Sequence, residues 1–495
     1  MSLEKSSLNS LRFVENTTDW PSSSMSNSIK KNYLYNLAYQ VLAIIVPFVT
    51  TPYVSRVLGA QGIGDYSYTY GIVTYFGIFA MTGTATYGMR EIAKLQHNDA
   101  LRSNKFWEIF TFRLFCTLVV TAAYLFFLLN FMPEYRILYL INLLTVVSWV
   151  LDVSWYFQGI EDFKVTAVRN SLVKILGTIL IFILVRTEND VWLYTLIFCI
   201  TAVLGNVSMW PFLVKGIKKP CLSLKAIFSN TRPIMGLFAP VIAIQIYTVL
   251  NKTMLGSLYD IESVGYYTQA DKIIQMVLVV LSSLMAVLLP RITLMFKERR
   301  HEEVNGYFRA ANDYVFMLAL PCIVMCIGVS EDFVPLFFGP GYESVAGLMN
   351  LLSPLFVILS LGQMFGNFLI ASDNQGRYTI AVTAAAVVNF LLNILLIPLA
   401  GATGTAVATI CAEAVSTGLQ AWYIRDLVDL KYIAVAFARY AAPSVLMGGA
   451  ILLVHLTGLS SIFDMLACIV IGIAVYGAYL LVKRDVFLIR LLKRL

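Results

Sequence analysis

Long apolar segments separated by short polar loops dominate the sequence from about residue 30 onward. Runs of about 20 apolar residues match a helix that crosses roughly 30 Å of hydrocarbon. The predicted spans lie at about 32–57, 66–90, 106–130, 136–158, 165–185, 191–215, 231–255, 266–290, 308–329, 345–371, 377–399, 402–424, 432–455 and 462–482. The pattern therefore predicts an all-α polytopic membrane protein with about fourteen transmembrane helices.

The composition agrees with this pattern. Of the 495 residues, 59% are hydrophobic and 13% are charged, and the mean hydropathy is +0.75. A soluble chain of this length would aggregate with so few charges, so the soluble classes are excluded. The seven cysteines are scattered, and His97, His301 and His455 fall in separate regions, so no metal cluster is predicted.

Lysine and arginine residues gather in alternate loops, as the positive-inside rule predicts for a correct count of spans. With the N-terminus in the cytoplasm, the external side receives only Arg56, Arg136 and Arg186. Both termini are therefore predicted to be cytoplasmic. The polar, serine-rich residues 1–30 are predicted to be a disordered cytoplasmic leader, and the basic end of the chain is predicted to lie on the anionic inner leaflet.

Two junctions between spans resemble each other. "SRVLGAQGIGDYSYTYGIV" (55–73) and "MLGSLYDIESVGYYTQADKII" (254–274) each lead from Leu-Gly through a polar patch to a glycine, Gly64 or Gly265, and a tyrosine-rich helix start. Six predicted spans separate the two junctions, so both point the same way. This predicts two parallel-related six-helix lobes, in which Gly64 and Gly265 serve as hinges, plus two C-terminal helices.

The repeat sets the predicted domain boundaries. They are the leader (1–30), the N-lobe (31–215), a basic cytoplasmic linker (216–230), the C-lobe (231–425), and spans 13 and 14 with the basic tail (426–495). Two lobes with a cleft between them are typical of alternating access, in which the ligand is held near the midplane. The chain has no phosphate-binding loop and no soluble domain that could hold a nucleotide, so a primary pump is not expected.

Charged side chains inside predicted spans are costly unless they face a wet cavity or a partner. The set predicted to face inward is Arg113, Asp152, Lys174, Lys252, Asp271, Lys272, Glu413 and Arg439. Its positive excess suits an anionic ligand, with Lys174, Lys252 and Lys272 as donors to it. Asp152, Asp271 and Glu413 are candidates for binding a coupled ion.

Structural interpretations of these charges stay open at this stage. Arg113, Asp152 and Arg169 map to the same depth and could form a salt bridge, and Arg439 could extend to the inner interface. Lys252 and Asp271 could pair near the outer surface, and Glu413 could be a buried carboxyl that is hydrogen-bonded to a neighbouring helix.

Three longer segments resemble a known family. "YLYNLAYQVLAIIVPFVTTPYVSRVLGAQGIGDYSYTYGIVTYFGIFAMTGTATYGMREIA" resembles the opening of bacterial lipid-linked oligosaccharide flippases, the polysaccharide-transporter branch of the multidrug/oligosaccharidyl-lipid/polysaccharide exporter superfamily. "LGSLYDIESVGYYTQADKIIQMVLVVLSSLMAVLLPRITLMF" and "VVNFLLNILLIPLAGATGTAVATICAEAV" agree with it. The hinge glycines, Arg56 and the Arg90-Glu91 pair match the family pattern best.

The resemblance implies a non-enzymatic transporter of the bacterial plasma membrane. It would flip undecaprenyl-pyrophosphate-linked oligosaccharide repeat units to the outer leaflet for surface polysaccharide assembly. Family members line the cleft with basic residues, which adds Arg56 and Arg90 to the predicted substrate-binding set, and spans 13 and 14 would accompany the lipid tail. The expected protein is a monomer without a cofactor or nucleic acid, is coupled to H⁺, Na⁺ or the membrane potential, and works beside a polysaccharide polymerase and other assembly proteins.

Three alternatives remain. A drug/cation antiporter of the same superfamily would need an acidic cleft, whereas the intramembrane charge here is basic. A polytopic glycan polymerase or ligase would place catalytic residues on a large external loop, but the longest predicted external loop, Ser330 to Ser344, is short and has no evident acid–base pair. A passive lipid scramblase stays open.

Overall fold

The computed structural model describes residues 27–81, 83–131, 134–218, 223–485 and 487–489. This part of the chain is helical, and no strand occurs in it. The α-helices are α1 (Asn27–Met81), α2 (Thr84–Lys94), α3 (Asp99–Phe131), α4 (Arg136–Leu151), α5 (Ser154–Gly159), α6 (Phe163–Leu184), α7 (Val191–Val207), α8 (Trp210–Gly216), α9 (Leu224–Ser229), α10 (Thr231–Leu258), α11 (Ile261–Lys297), α12 (His301–Phe338), α13 (Glu343–Leu352), α14 (Leu355–Ala371), α15 (Gln375–Ile424), α16 (Lys431–His455) and α17 (Ser461–Val482).

The helices confirm an all-α membrane protein. Within the described residues, eight helices are long and apolar enough to cross a membrane, or nine if the bent pair α13 and α14 counts as one span. These helices expose many apolar side chains along their length, among them Leu129, Val445 and Leu453, as expected for surfaces that contact lipid. Fourteen spans stay a prediction.

Two long helices bend at glycines. In α1 the bend lies at Gly59 (φ 68°, ψ 177°), and in α15 it lies at Gly401 (φ 52°, ψ −127°). A side chain at such positive φ values is strained, which is why glycine occupies both positions. The bend at Gly401 falls between the predicted spans 377–399 and 402–424. The first bend precedes Gly64, which is itself helical.

The described helices form two compact units that divide between Gly265 and Tyr266. In the N unit (27–265), α3, α5 and α8 enclose an aromatic core that includes Phe106, Trp155 and Tyr156. In the C unit (from Tyr266), α12, α16 and α17 pack around Phe316, Tyr440 and Leu480. Helix α10 packs on α1 and so belongs to the N unit. The predicted lobe boundary at 216–230 concerns which helices move together. The division into compact units does not test motion, so this boundary stays a prediction.

The ends of the chain lie largely outside the described residues. Most of the predicted leader (1–30) falls there, but residues 27–30 already belong to α1, so the prediction of disorder is wrong for them. The last residues of the basic tail, 490–495, also fall there. Residues 219–222 of the linker are not described, and the remainder of the linker includes the short helix α9.

Candidate functional site

The two hinge glycines lie in the same contact of the N unit. A Cβ atom at Gly64 would overlap the carbonyl oxygen of Ile261, and a Cβ atom at Gly265 would overlap the carbonyl oxygen of Ala60. The same sequence offset relates Ala60 to Ile261 and Gly64 to Gly265, so the two contacts are reciprocal. We call this contact the glycine crossing. It brings α1 and the start of α11 together at backbone distance, which side chains at these positions would prevent.

The position of the glycines differs from the prediction in one respect. Gly64 and Gly265 lie inside helices, whereas the chain turns before each of them, at Gly59 and at the break between α10 and α11. Their structural contribution is therefore close packing of two helix starts. Their role as hinges stays a prediction.

Helices α1 and α10 pack closely beside the glycine crossing. Gly71 lies against Thr253, and Gly256 lies against the ring of Tyr68. Two hydroxyl pairs cross the interface: Tyr75 Oη and Thr253 Oγ1 are 2.8 Å apart, and Tyr68 Oη and Ser257 Oγ are 3.1 Å apart. Small residues allow the close approach, and the hydroxyl pairs satisfy polar groups within the membrane.

Lys252 lies on α10 next to this polar interface. Its neighbours Asn251 and Thr253 are buried, and Lys252 itself is partly buried. Its role as a donor to an anionic ligand stays a prediction.

Arg113, Asp152 and Arg169 form an ion-pair cluster in the N unit. Arg113 Nη1 donates to the backbone carbonyl of Asp152 at 2.9 Å, and its Nη2 is 4.0 Å from Asp152 Oδ2. Arg169 Nη2 is 3.5 Å from Asp152 Oδ1, which also accepts from the backbone N–H of Ser154. The salt bridge that the sequence left open is present. Asp152 therefore has a structural role, and its coupling role stays a prediction.

The other predicted basic residues of the N unit are dispersed. Lys174 is partly buried on α6. Arg56 is exposed just before the bend of α1, and Arg90 is exposed on α2, a helix that also buries Tyr87 and Ile92. The partner of Arg90 in the family motif, Glu91, pairs with Lys94 at 2.6 Å. Arg90 is therefore placed at the surface of the N unit.

In the C unit, Asp271, Lys272 and Glu413 are all partly buried. Asp271 Oδ1 accepts from Gln275 at 3.3 Å, one turn further along α11. Near the start of α11, the side chain of Tyr267 is buried and its hydroxyl is 3.2 Å from Thr409 Oγ1 on α15. After the glycine crossing, α11 therefore carries further hydrogen-bonding side chains, Tyr267 and Asp271, in the C unit. The pairing of Lys252 with Asp271 stays a prediction.

Arg439 has a carboxylate partner that the sequence analysis missed. Its Nη1 is 3.2 Å from Asp313 Oδ1 on α12, and Asp313 Oδ2 accepts from Tyr432 Oη at 2.8 Å. Arg439 is therefore paired within the C unit, and its extension to the inner interface stays a prediction. The signal was available, because Asp313 lies inside the predicted span 308–329.

A second missed cluster holds the linker against the N unit. Asn230 Oδ1 accepts from Tyr87 Oη at 2.8 Å and from Lys105 Nζ at 3.2 Å, and Asn230 Nδ2 donates to Glu108 Oε2 at 3.3 Å. Lys105 and Glu108 are themselves paired at 2.6 Å. Asn230, which follows α9, thus connects the linker to α2 and α3.

This chain is similar to a known family and to several known proteins. The family model for polysaccharide biosynthesis proteins matches residues 29–296, more than half of the chain. A putative O-antigen transporter of Escherichia coli (strain K12) is 23% identical over 411 residues, which cover 81% of this chain and 97% of the relative.

The solved structures show the same fold. The lipid II flippase MurJ, in an inward closed conformation, has a TM-score of 0.73 at 17% identity and covers 92% of this chain and 99% of its own. A MATE family multidrug resistance transporter of the MOP superfamily matches in its inward-facing conformation (TM-score 0.58, 14% identity, 79% of this chain and 98% of that chain). An outward-facing MATE structure also matches (TM-score 0.52, 14% identity, 83% and 95%).

The sequence resemblance, the family match and the fold agree with one another. This chain therefore belongs to the polysaccharide biosynthesis protein family and shares the helical membrane fold of the MurJ and MATE structures.

Proposed function

We propose that this protein moves polyprenyl-pyrophosphate-linked oligosaccharides, of the undecaprenyl class, from the cytoplasmic to the outer leaflet of a bacterial plasma membrane. The observation that carries the proposal is the family match together with 97% coverage of a relative named as a putative O-antigen transporter. The MurJ structure supports a lipid-linked cargo, because that neighbour is named a lipid II flippase and shares the fold over 92% of this chain.

The chemistry of such a cargo explains why a protein is required. A pyrophosphate and its sugars would lose their hydrogen bonds to water in hydrocarbon, at a cost of several kcal/mol for each unpaired polar group. Lysine and arginine side chains replace those bonds with charge-assisted ones. The polyprenyl tail needs no such shelter, because it is already soluble in lipid.

Lys174, Lys252 and Lys272 are the residues that we propose for the headgroup. All three are partly buried and lie on helices of the predicted spans, Lys174 and Lys252 in the N unit and Lys272 in the C unit. Arg56 and Arg90, which are exposed, are proposed as the residues that meet the headgroup first or release it.

Alternating access is the proposed mechanism. Solved MATE transporters of this fold occur in inward-facing and outward-facing conformations. In this chain the glycine crossing lies where α1 meets the start of α11, the helix that continues into the C unit. We propose that this contact is the pivot, and that a coupled ion held by Asp271 or Glu413, or the membrane potential, supplies the energy. The alternation of basic loops in the sequence supports a cytoplasmic location of both termini in this proposal.

Reconstitution tests the proposal directly. Purified protein in vesicles is given a fluorescent polyprenyl-pyrophosphate oligosaccharide, and a membrane-impermeant glycosidase reports how much of it reaches the outer leaflet. The wild type should increase the flipped fraction, whereas Lys174→Ala and Lys272→Ala should slow it about tenfold or more, because each loses a charge-assisted bond of about 1.5–3 kcal/mol.

Matched controls separate binding from folding. Lys164→Ala and Lys297→Ala remove exposed lysines from α6 and α11, the same two helices, and should flip at the wild-type rate. All four variants should retain the wild-type melting midpoint. Normal flipping by Lys174→Ala and Lys272→Ala would remove these residues from the site. Failure of the wild type to flip the glycolipid, with export of a cationic dye from the same vesicles, would favour the drug/cation antiporter.

A further inference from the structure

We infer that the end of α16 and the start of α17 form a binding site for a zinc-like divalent cation. Three side chains converge there: His455, Asp464 and Cys468, whose ligand atoms all lie within 4.8 Å of one another. His455 Nδ1 is 2.5 Å from Asp464 Oδ2, and Cys468 Sγ is 3.7 Å from the same oxygen. The inference concerns the C unit alone and does not depend on the proposed function.

Local sequence explains why these atoms meet. Asp464 and Cys468 are one turn apart on α17 and therefore lie on the same face of that helix. A short connection through Gly458, at φ 67°, leads from His455 at the end of α16 to the start of α17. The hairpin therefore brings the imidazole to the face that carries the carboxylate and the thiol.

The second ring nitrogen of His455 is already oriented as metal-bound histidines usually are. Nε2 is 2.9 Å from the backbone carbonyl oxygen of Gly328 on α12. A proton on Nε2, which also lies 4.0 Å from Cys468 Sγ, makes this hydrogen bond and leaves Nδ1 facing Asp464 Oδ2, the arrangement that fixes the tautomer of zinc ligands. Glycine at position 328 allows α12 to lie this close to α16, because a Cβ atom there would be only 2.7 Å from Ile451 Cγ2 on α16.

The types of ligand atom in this cluster indicate which class of ion it would bind. Imidazole nitrogen, carboxylate oxygen and thiolate sulfur are the three ligand types of zinc sites, whereas calcium and magnesium take oxygen ligands. Asp464 and Cys468 are buried and His455 is exposed, so an ion would have three protein ligands and an open side toward solvent. Asp332 on α12 is close enough to interact electrostatically with Cys468, which adds negative charge beside the site.

Binding requires a small rearrangement and a release of protons. Two ligands of one zinc ion are about 3 Å apart or more, so His455 must move away from Asp464 by a fraction of an ångström. The ion would bind Cys468 as a thiolate, so the thiol proton would be released. Affinity should therefore fall as the pH is lowered.

The test uses the full-length protein in detergent, treated with a chelator and then titrated with Zn²⁺ or Co²⁺. We expect one saturable site per chain and, with Co²⁺, the near-ultraviolet absorption of a thiolate–cobalt bond. His455→Ala, Asp464→Asn and Cys468→Ser should each weaken Zn²⁺ binding by more than about 100-fold, since loss of an outer-shell partner alone costs about 10–100-fold. Zn²⁺ should raise the melting midpoint of the wild type but not of these three variants.

Matched controls are Cys411→Ser and His301→Ala, which change exposed residues of the same unit and should bind like the wild type. Cys468→Ser keeps the size of the side chain, so its fold is checked by its melting midpoint in chelator. The inference is overturned if the wild type shows no thiolate–cobalt band, or if Cys468→Ser binds Zn²⁺ as tightly as the wild type.

Discussion

Replacing Gly64 with alanine should separate the two helix starts at the glycine crossing. The new Cβ atom would overlap the carbonyl oxygen of Ile261 and lie 2.9 Å from its Cγ2 atom. Carbon atoms in contact are normally about 3.5–4.0 Å apart, so the helices must move by about 1 Å. The obstructing atom belongs to the backbone, which cannot rotate away. Overpacking of this kind costs about 1–3 kcal/mol.

A second glycine on a helix of the N unit provides the matched control. At Gly177 on α6 a new Cβ atom would lie 3.7 Å from Thr201 Oγ1, an ordinary contact. Both substitutions gain the helix propensity of alanine, about 1 kcal/mol relative to glycine. The difference between Gly64→Ala and Gly177→Ala therefore reports the glycine crossing alone.

The assay is thermal unfolding of the detergent-purified chain at one scan rate, because unfolding of such proteins is commonly irreversible. Gly64→Ala and Gly265→Ala should each melt a few degrees below Gly177→Ala. The double variant should lose less than the sum of the two single variants, because one separation relieves both overlaps. Equal midpoints for Gly64→Ala and Gly177→Ala, or strictly additive losses, would refute the reciprocal contact.

Two further substitutions test the polar clusters of the N unit. Asp152→Ala should destabilise the protein by about 3 kcal/mol, because it leaves the guanidinium of Arg113, only 1% exposed, buried without its carboxylate. The melting midpoint measures this loss. Arg113→Met, added to Asp152→Ala, should restore part of the lost stability. Asn230→Ala should lower the free energy of unfolding by about 1–3 kcal/mol, because the buried Tyr87 hydroxyl loses its acceptor. Limited proteolysis measures the effect, and cleavage in the linker should become faster.

Each of these has a surface control. Glu188→Ala removes an exposed carboxylate before α7, and Asn130→Ala removes an exposed amide that donates only to the carbonyl of Phe126, within its own helix. Both should stay within about 0.5 kcal/mol of the wild type. A wild-type midpoint for Asp152→Ala would contradict the charge pairing, and unchanged proteolysis of Asn230→Ala would show that Asn230 does not hold the linker.

The amino-acid sequence by itself determined the class of the molecule and the location of most of its helices. The length and apolar character of a span are local properties of the sequence. Such a segment forms a helix because unpaired backbone groups are costly to bury in lipid, and a helix pairs them within the segment. The bend at Gly401 could be predicted in the same way, from the break between two spans. The family could also be recognised, because the motifs around Gly64 and Gly265 are contiguous in the chain.

Only the tertiary structure decided which side chains meet. The contact of Gly64 with Ile261, the pairing of Arg439 with Asp313, and the convergence of His455 with Cys468 each join different helices. Such pairs depend on how each helix is rotated about its axis and how closely its neighbour approaches, and both follow from packing summed over whole helix faces. A span pattern specifies that a helix crosses the membrane, but the partner of a charge inside it is set by the neighbouring helix.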